Sequence, residues 1–147
     1  MTELKDKTVI VTGAAGGIGR AIAQEAGRAG ARLALVDADA ARLDETVTAI
    51  RAIGAEVLPC AVDMTDRALW QKNIDDIAAH FCGIDVMVNN AMWVEYEPMA
   101  EVREGVYRRQ MAIGLDAVFW GIQAVTPHMI AQGAGSIVNM TSPASVH

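Results

Sequence analysis

Apolar positions along this 147-residue chain follow two periods: short continuous runs, and longer stretches in which they recur every three or four residues. Thr8-Val9-Ile10-Val11, Arg32-Leu33-Ala34-Leu35-Val36, Glu56 to Val62, Ile84-Asp85-Val86-Met87-Val88 and Ser136 to Met140 form the first group. Such runs suit the buried strands of a parallel sheet. Helical spacing links Ile18, Ile22, Ala26 and Ala29, then Leu43, Val47, Ile50 and Ile53, then Trp70, Ile74, Ile77 and Phe81, and finally Val106, Ile113, Ala117, Trp120 and Ala124. Strands alternating with helices predict an α/β fold: a doubly wound parallel sheet with right-handed crossovers, in a single domain over residues 1–147.

The punctuation agrees with this order. Gly30, Gly54 and Gly83 stand where helices end, and Asp39 and Thr65 read as N-caps. The first helix is predicted from about Gly17 to Ala29, and a long one from about Val102 to Ile130 with Pro127 near its end. Pro59 hints at an edge position or an irregularity in the third strand. Met92 to Ala100, holding Trp93, Tyr96 and Pro98, has no clean period and reads as a loop over the site.

Candidate chemistry gathers at the carboxyl ends of these strands. Between the first strand and first helix lies Thr12-Gly13-Ala14-Ala15-Gly16-Gly17-Ile18-Gly19. Glycines there let the backbone approach a ligand, and the first turn of the helix offers unpaired amides to a pyrophosphate, the chemistry of a Rossmann turn. The spacing, with glycines at 13, 17 and 19, is longer between its first two glycines than the ordinary dinucleotide fingerprint. Asp37 ends the second strand roughly 20 residues beyond the loop, where a carboxylate accepts hydrogen bonds from ribose hydroxyls and repels a 2′-phosphate. Asp39 can do the same but reads equally well as a helix cap, so the ribose is assigned to Asp37. Asp63-Met64, Asn89-Asn90-Ala91 and Thr141-Ser142 close the third, fourth and fifth strands.

A net charge of −6, with Lys5, Lys7 and Lys72 as the only lysines, argues against a nucleic-acid partner. No apolar stretch reaches the roughly 20 residues that span a bilayer, and the polar start, Met1 to Lys7, is not a signal peptide. A cytoplasmic location is expected. Cys60 and Cys82 lack a C-x-x-C spacing and read as buried, reduced thiols, while His80, His128 and His147 share no metal-ligand spacing, so no metal is assigned. Asp75-Asp76 and Arg108-Arg109 read as solvated helix faces.

Taken together, the glycine loop from Gly13 to Gly19, Asp37, Asp63, Asn89-Asn90-Ala91 and Ser136-Ile137-Val138-Asn139-Met140-Thr141-Ser142 resemble the short-chain dehydrogenase/reductase family over the whole chain. The resemblance implies a Rossmann fold, an NAD cofactor and hydride transfer to or from an alcohol or carbonyl substrate. It implies that Gly13, Ala14, Ala15, Gly16, Gly17, Ile18 and Gly19 hold the pyrophosphate, Asp37 the adenine ribose and Asp63 with Met64 the adenine. Asn90 and Ala91 fall on the adenosine side, and Ser142 matches the catalytic serine. The family's Tyr-x-x-x-Lys is missing: the only tyrosines, Tyr96 and Tyr107, are followed four residues on by Ala100 and Met111. Met92 departs from the family's N-N-A-G, and Gly114 stands where it usually carries a catalytic asparagine.

The expectation is the amino-terminal part of a longer domain, incomplete at its C-terminal side, whose long helix supports a homo-oligomer when complete. Val106, Val118, Trp120 and Ile122 place apolar groups on more than one face of that helix. Trp93, Val94 and Tyr96 suggest one apolar wall of a substrate pocket. NAD is preferred to NADP because of Asp37 and because neither Gly16 nor Ala38 is basic. The alternative is a dinucleotide-binding module without turnover. An epimerase or dehydratase is disfavoured, since its resemblance asks for a differently spaced glycine loop.

Overall fold

The computed structural model describes residues 4–142. His147 and the first three residues lie outside them, and the tail reading of His147 with them. In chain order the elements are β1 (Thr8–Thr12), α1 (Gly17–Arg28), β2 (Arg32–Asp37), α2 (Ala40–Ala52), β3 (Val57–Ala61), α3 (Arg67–Phe81) and β4 (Val86–Asn89). After a 3₁₀ turn at Met99–Glu101 come α4 (Glu104–Met111), a π-helical turn at Ala112–Asp116, α5 (Ala117–Gln132) and β5 (Ser136–Asn139). All pairings are parallel, in the order β3-β2-β1-β4-β5. The sheet therefore grows outward from β1 through β2 and β3 in one direction and then, from β4 to β5, in the other. Pro59 sits on an edge strand, where a missing N–H costs no ladder bond.

Pleating divides the core in two. Val9 and Val11 of β1, Leu33 and Leu35 of β2 and Val88 of β4 pack on one face with Leu43, Val47 and Ile50 of α2 and the small residues of α1. Ile10, Ala34, Val36 and Met87 point to the other face, onto Trp70, Ile74, Ile77 and Phe81 of α3 and Ala124, Val125 and Met129 of α5. Trp70, fully buried, donates its indole N–H to the Ala117 carbonyl at 3.1 Å, which pins α3 to α5.

Several local expectations are corrected. Ile18 is 63% exposed, because α1 lies against the sheet on Gly19, Ala23, Ala26 and Gly27. Asp66, not Thr65, caps α3 and accepts from the Leu69 amide at 3.0 Å. Cys82 itself takes the left-handed conformation that ends this helix and is exposed, so only Cys60 is a buried thiol. Burial pushes the Cys60 thiol up, Asp76 adds to this, and a hydrogen bond with Asn73 opposes both. The long helical pattern begins at Glu104 and is interrupted by the π turn. Of its supposed outward groups Val106 is buried and Trp120 packs on the core, whereas Leu115 and Phe119 are exposed.

Candidate functional site

Where the order of the strands reverses, between β1 and β4, a cleft of about 570 Å³ opens at the carboxyl end of the sheet. It brings together Gly13, Ala15, Gly16, Gly17, Ile18 and Gly19 of the loop, Asp37 at the end of β2, Asp63 and Met64 after β3, and Asn90 and Ala91 after β4. Ala14 lies under this wall, fully buried, and Ser142 follows β5 as an exposed residue outside the cleft lining.

The loop is shaped by close approach. Gly13 has φ +66°, and a Cβ there would stand 2.8 Å from the Ala91 Cα; one at Gly19 would overlap the Gly13 carbonyl oxygen. At Gly17 a Cβ would meet nothing within 4 Å among the described residues. Gly13 and Gly19 are thus required by the protein's own packing, while Gly17 faces open space at the first turn of α1, where amides have no intrahelical partner. That is a cradle suited to the phosphates of a dinucleotide.

Three polar groups fix the cradle, two of which sequence reasoning missed. The Thr12 hydroxyl donates to the Val88 carbonyl at 3.3 Å and accepts from the amides of Asn90 and Ala91, each at 3.0 Å. Asn90 returns the contact through Nδ2, donating to the Thr12 carbonyl at 3.0 Å. Thr46, buried on α2, donates to the Ala14 carbonyl at 3.1 Å. A threonine inside an apolar helix stripe was the available signal for Thr46. Asn89 is buried and donates to Asn139 Oδ1 at 2.8 Å, tying the end of β4 to that of β5.

Asp37 holds one carboxylate oxygen on the Ala15 amide and the other on the Asp39 amide, each at 3.0 Å. Asp39 caps α2 by accepting from the Arg42 amide at 3.0 Å. Asp63 accepts from both the amide and the hydroxyl of Thr65. On the same walls stand Arg42, Trp93, Arg109 and Ile113, none of them read as site residues from the sequence except Trp93 as a substrate wall. The guanidinium of Arg42 donates to the Ala15 carbonyl at 3.3 Å, and that of Arg109 lies 4.4 Å from the centroid of the Trp93 ring. The Arg108-Arg109 pair is therefore split: Arg108 pairs with Glu104, and Arg109 turns to the cleft.

The loop from Met92 to Ala100 is strapped to α4. Arg103 bonds Glu95 and Glu97, and Gln110 donates to the Glu95 carbonyl at 3.1 Å. The Arg103 amide, then its guanidinium, hold the Glu97 carboxyl below its usual range, and the same pairing raises Arg103. Gly114 lies inside the π turn. No group of His, Cys, Asp and Glu among the described residues is placed to hold a metal, and none of the described helices is long and apolar enough to cross a membrane.

Comparison with known proteins adds a second line. The family model described as short chain dehydrogenase matches residues 7–147. A sorbitol dehydrogenase of Cereibacter sphaeroides is 38% identical over 146 residues, covering 96% of this chain and 54% of the relative. The crystal structure of NAD+-bound xylitol dehydrogenase superposes with a TM-score of 0.94 at 30% identity, over 98% of this chain and 56% of that one. A metagenomic short-chain oxidoreductase in complex with NADP gives 0.90 at 31% identity, over 95% and 63%. The chain spans about half the length of the first curated relatives it matches.

Proposed function

The chain belongs to the short-chain dehydrogenase family, and on that premise we propose that it forms the dinucleotide-binding part of an NAD-dependent oxidoreductase. The reaction is hydride transfer between the nicotinamide and a small alcohol or carbonyl compound. The observation that carries this reading is the cleft itself. It has a glycine cradle open at Gly17, and it is flanked by a carboxylate, Asp37, that two backbone amides hold in place.

When bound, the dinucleotide supplies the carbon that gives or takes the hydride. The first-turn amides of α1 hold its phosphates, and Asp37 accepts from the adenosine ribose. Asp63, Met64, Asn90 and Ala91 surround the adenosine, and Ser142 polarises the substrate oxygen. Polyol oxidation is the substrate class favoured by the sorbitol and xylitol dehydrogenase likenesses. Asp37 disfavours a 2′-phosphate, and Arg42 beside Ala15 moderates that preference. Leu115 and Phe119, exposed on the outer side of the π turn and α5, are the groups through which copies of the complete protein associate. A cytoplasmic location accords with its two free cysteines.

Titrations of the chain with NADH and NADPH test the cofactor reading; equal or tighter NADPH binding overturns the NAD preference. A non-catalytic dinucleotide-binding module is the second reading, and the absence of Tyr-x-x-x-Lys in these 147 residues favours it for the chain alone. A positioned general acid typically contributes 10²–10⁴-fold, so the isolated chain is expected to oxidise no NADH with a panel of ketones and ketoses. Steady turnover would refute the assignment of proton transfer to that motif.

A further inference from the structure

We propose that Arg109, set against the ring of Trp93 on the wall of the cleft, is an oxyanion-binding residue. It takes a phosphate or carboxylate group of a ligand held there. The proposal rests on reading the cleft as the dinucleotide site and adds to it a residue from a different element.

Arg109 precedes Ile113 by one helical turn, so the two share a face, and both line the cleft. Its guanidinium carbon lies over the indole, 4.4 Å from the Trp93 centroid. A cation–π contact of that kind holds the guanidinium in place without using up its N–H donors. Neighbouring arginines are differently employed: Arg103 is tied to Glu95 and Glu97, Arg108 to Glu104, and Arg42 donates to the Ala15 carbonyl. Arg109 forms no ion pair or side-chain hydrogen bond among the described residues.

The rest of the cleft creates a need for that charge. Three loop amides are consumed internally: Ala14 donates to the Val36 carbonyl, Ala15 to Asp37 and Gly16 to the Gly13 carbonyl. No lysine or arginine lies between Thr12 and Gly19, and Asp37, Asp39 and Asp63 all stand on the walls. An anionic ligand entering a chain of net charge −6 meets carboxylates and the first-turn amides of α1. Of the two arginines on the walls, Arg42 is drawn to the Ala15 carbonyl, while Arg109 has no hydrogen-bond or ion-pair partner among the described residues. The same oxyanion chemistry has two sources, the pyrophosphate of the cofactor or an acidic group on the second substrate.

Calorimetric titrations of the unsubstituted chain and of Arg109→Gln separate them, with folding checked by circular dichroism. One pair of probes is ADP-ribose and adenosine; the other, at saturating NAD+, is D-gluconate and D-glucitol. We expect Arg109→Gln to weaken one anionic probe tenfold or more while its neutral counterpart stays within twofold, and the responding pair names the source. Arg109→Lys should keep part of the affinity, and Trp93→Ala should fall between, since it loosens the guanidinium without removing the charge. If Arg109→Gln binds both anionic probes within twofold of the unsubstituted chain, the proposal is overturned while the dinucleotide reading stands. If the unsubstituted chain binds neither ADP-ribose nor NADH, both are overturned.

Discussion

Replacing Gly17 by alanine separates what the cradle does for the fold from what it does for a ligand. Gly17 is the first residue of α1, its φ is not positive, and an added methyl meets nothing within 4 Å among the described residues. Folding should therefore tolerate the change or gain from it, by up to about 0.5–1 kcal/mol of recovered helix propensity. Binding should not, because in the proposed site that methyl would fill the space through which phosphate oxygens would reach the amides of the first turn. A hydrogen bond to a charged group is worth about 1.5–3 kcal/mol, so losing one weakens NADH binding roughly tenfold to a hundredfold. Gly19→Ala provides the opposite control: its Cβ overlaps the Gly13 carbonyl and stands 2.8 Å from Asn90 Nδ2, an overpacking that costs about 1–3 kcal/mol or more of stability. Urea unfolding followed by circular dichroism and NADH titration followed by fluorescence read the two quantities on the same preparations. Gly17→Ala that folds normally and keeps full affinity would show that the phosphates do not lie over this turn.

Three further outcomes follow from the same contacts. Thr46→Val keeps the shape of the side chain but strands the Ala14 carbonyl, and urea midpoints should report a loss of about 1–3 kcal/mol. A maleimide should label Cys82 alone in the native chain and both cysteines in urea, since Cys60 is buried with its thiol pushed up; rapid double labelling under native conditions would contradict that packing. Partial burial opposes the charge of Asp85, yet bonds from Lys7 at 2.8 Å and the Thr8 amide at 2.9 Å outweigh it and hold the carboxyl below its usual value. Its contribution is present above about pH 4 and is lost as pH falls through the lowered folded value, so the stability gap between the chain and Asp85→Asn should be widest at neutral pH and close on acidification.

The succession of strands and helices and the ligand edge were legible because β1, β2 and β4 are buried apolar runs ending in a polar residue. By contrast β3 and β5, at the two edges of the sheet, are partly exposed, so Ser136 to Met140 is not the buried strand its apolar residues suggest. Less legible was anything set by close approach. Ile18 looked like core because it is the largest apolar residue in the first turn of α1, but a helix lying tightly on β1 buries Gly19, Ala23 and Gly27 instead. Thr65 and Asp66 are adjacent capping residues, and Thr65 is drawn to Asp63. Arg42 and Arg109 reach one cleft from helices far apart in sequence, so no local pattern joins them. Helical periodicity over Val102 to Ile130 looks unbroken because Val106, Ile113, Ala117, Trp120 and Ala124 keep helical spacing straight through the π turn, although Ile113 lines the cleft and Ala117 the core.

That π turn has a consequence for how the protein tolerates insertions and deletions. It fits an extra residue into a helix without ending it, and each residue corresponds to about 100° of rotation. The two flanking segments are thereby held at a set phase: Arg109 and Ile113 look into the cleft while Ala117, Ala124 and Val125 look into the core. Changes of length in the exposed strap before α4 leave this phase alone. A one-residue deletion between Ala112 and Asp116 would turn the two segments against each other by about a quarter of a revolution, so that cleft and core could no longer both be served by one continuous helix.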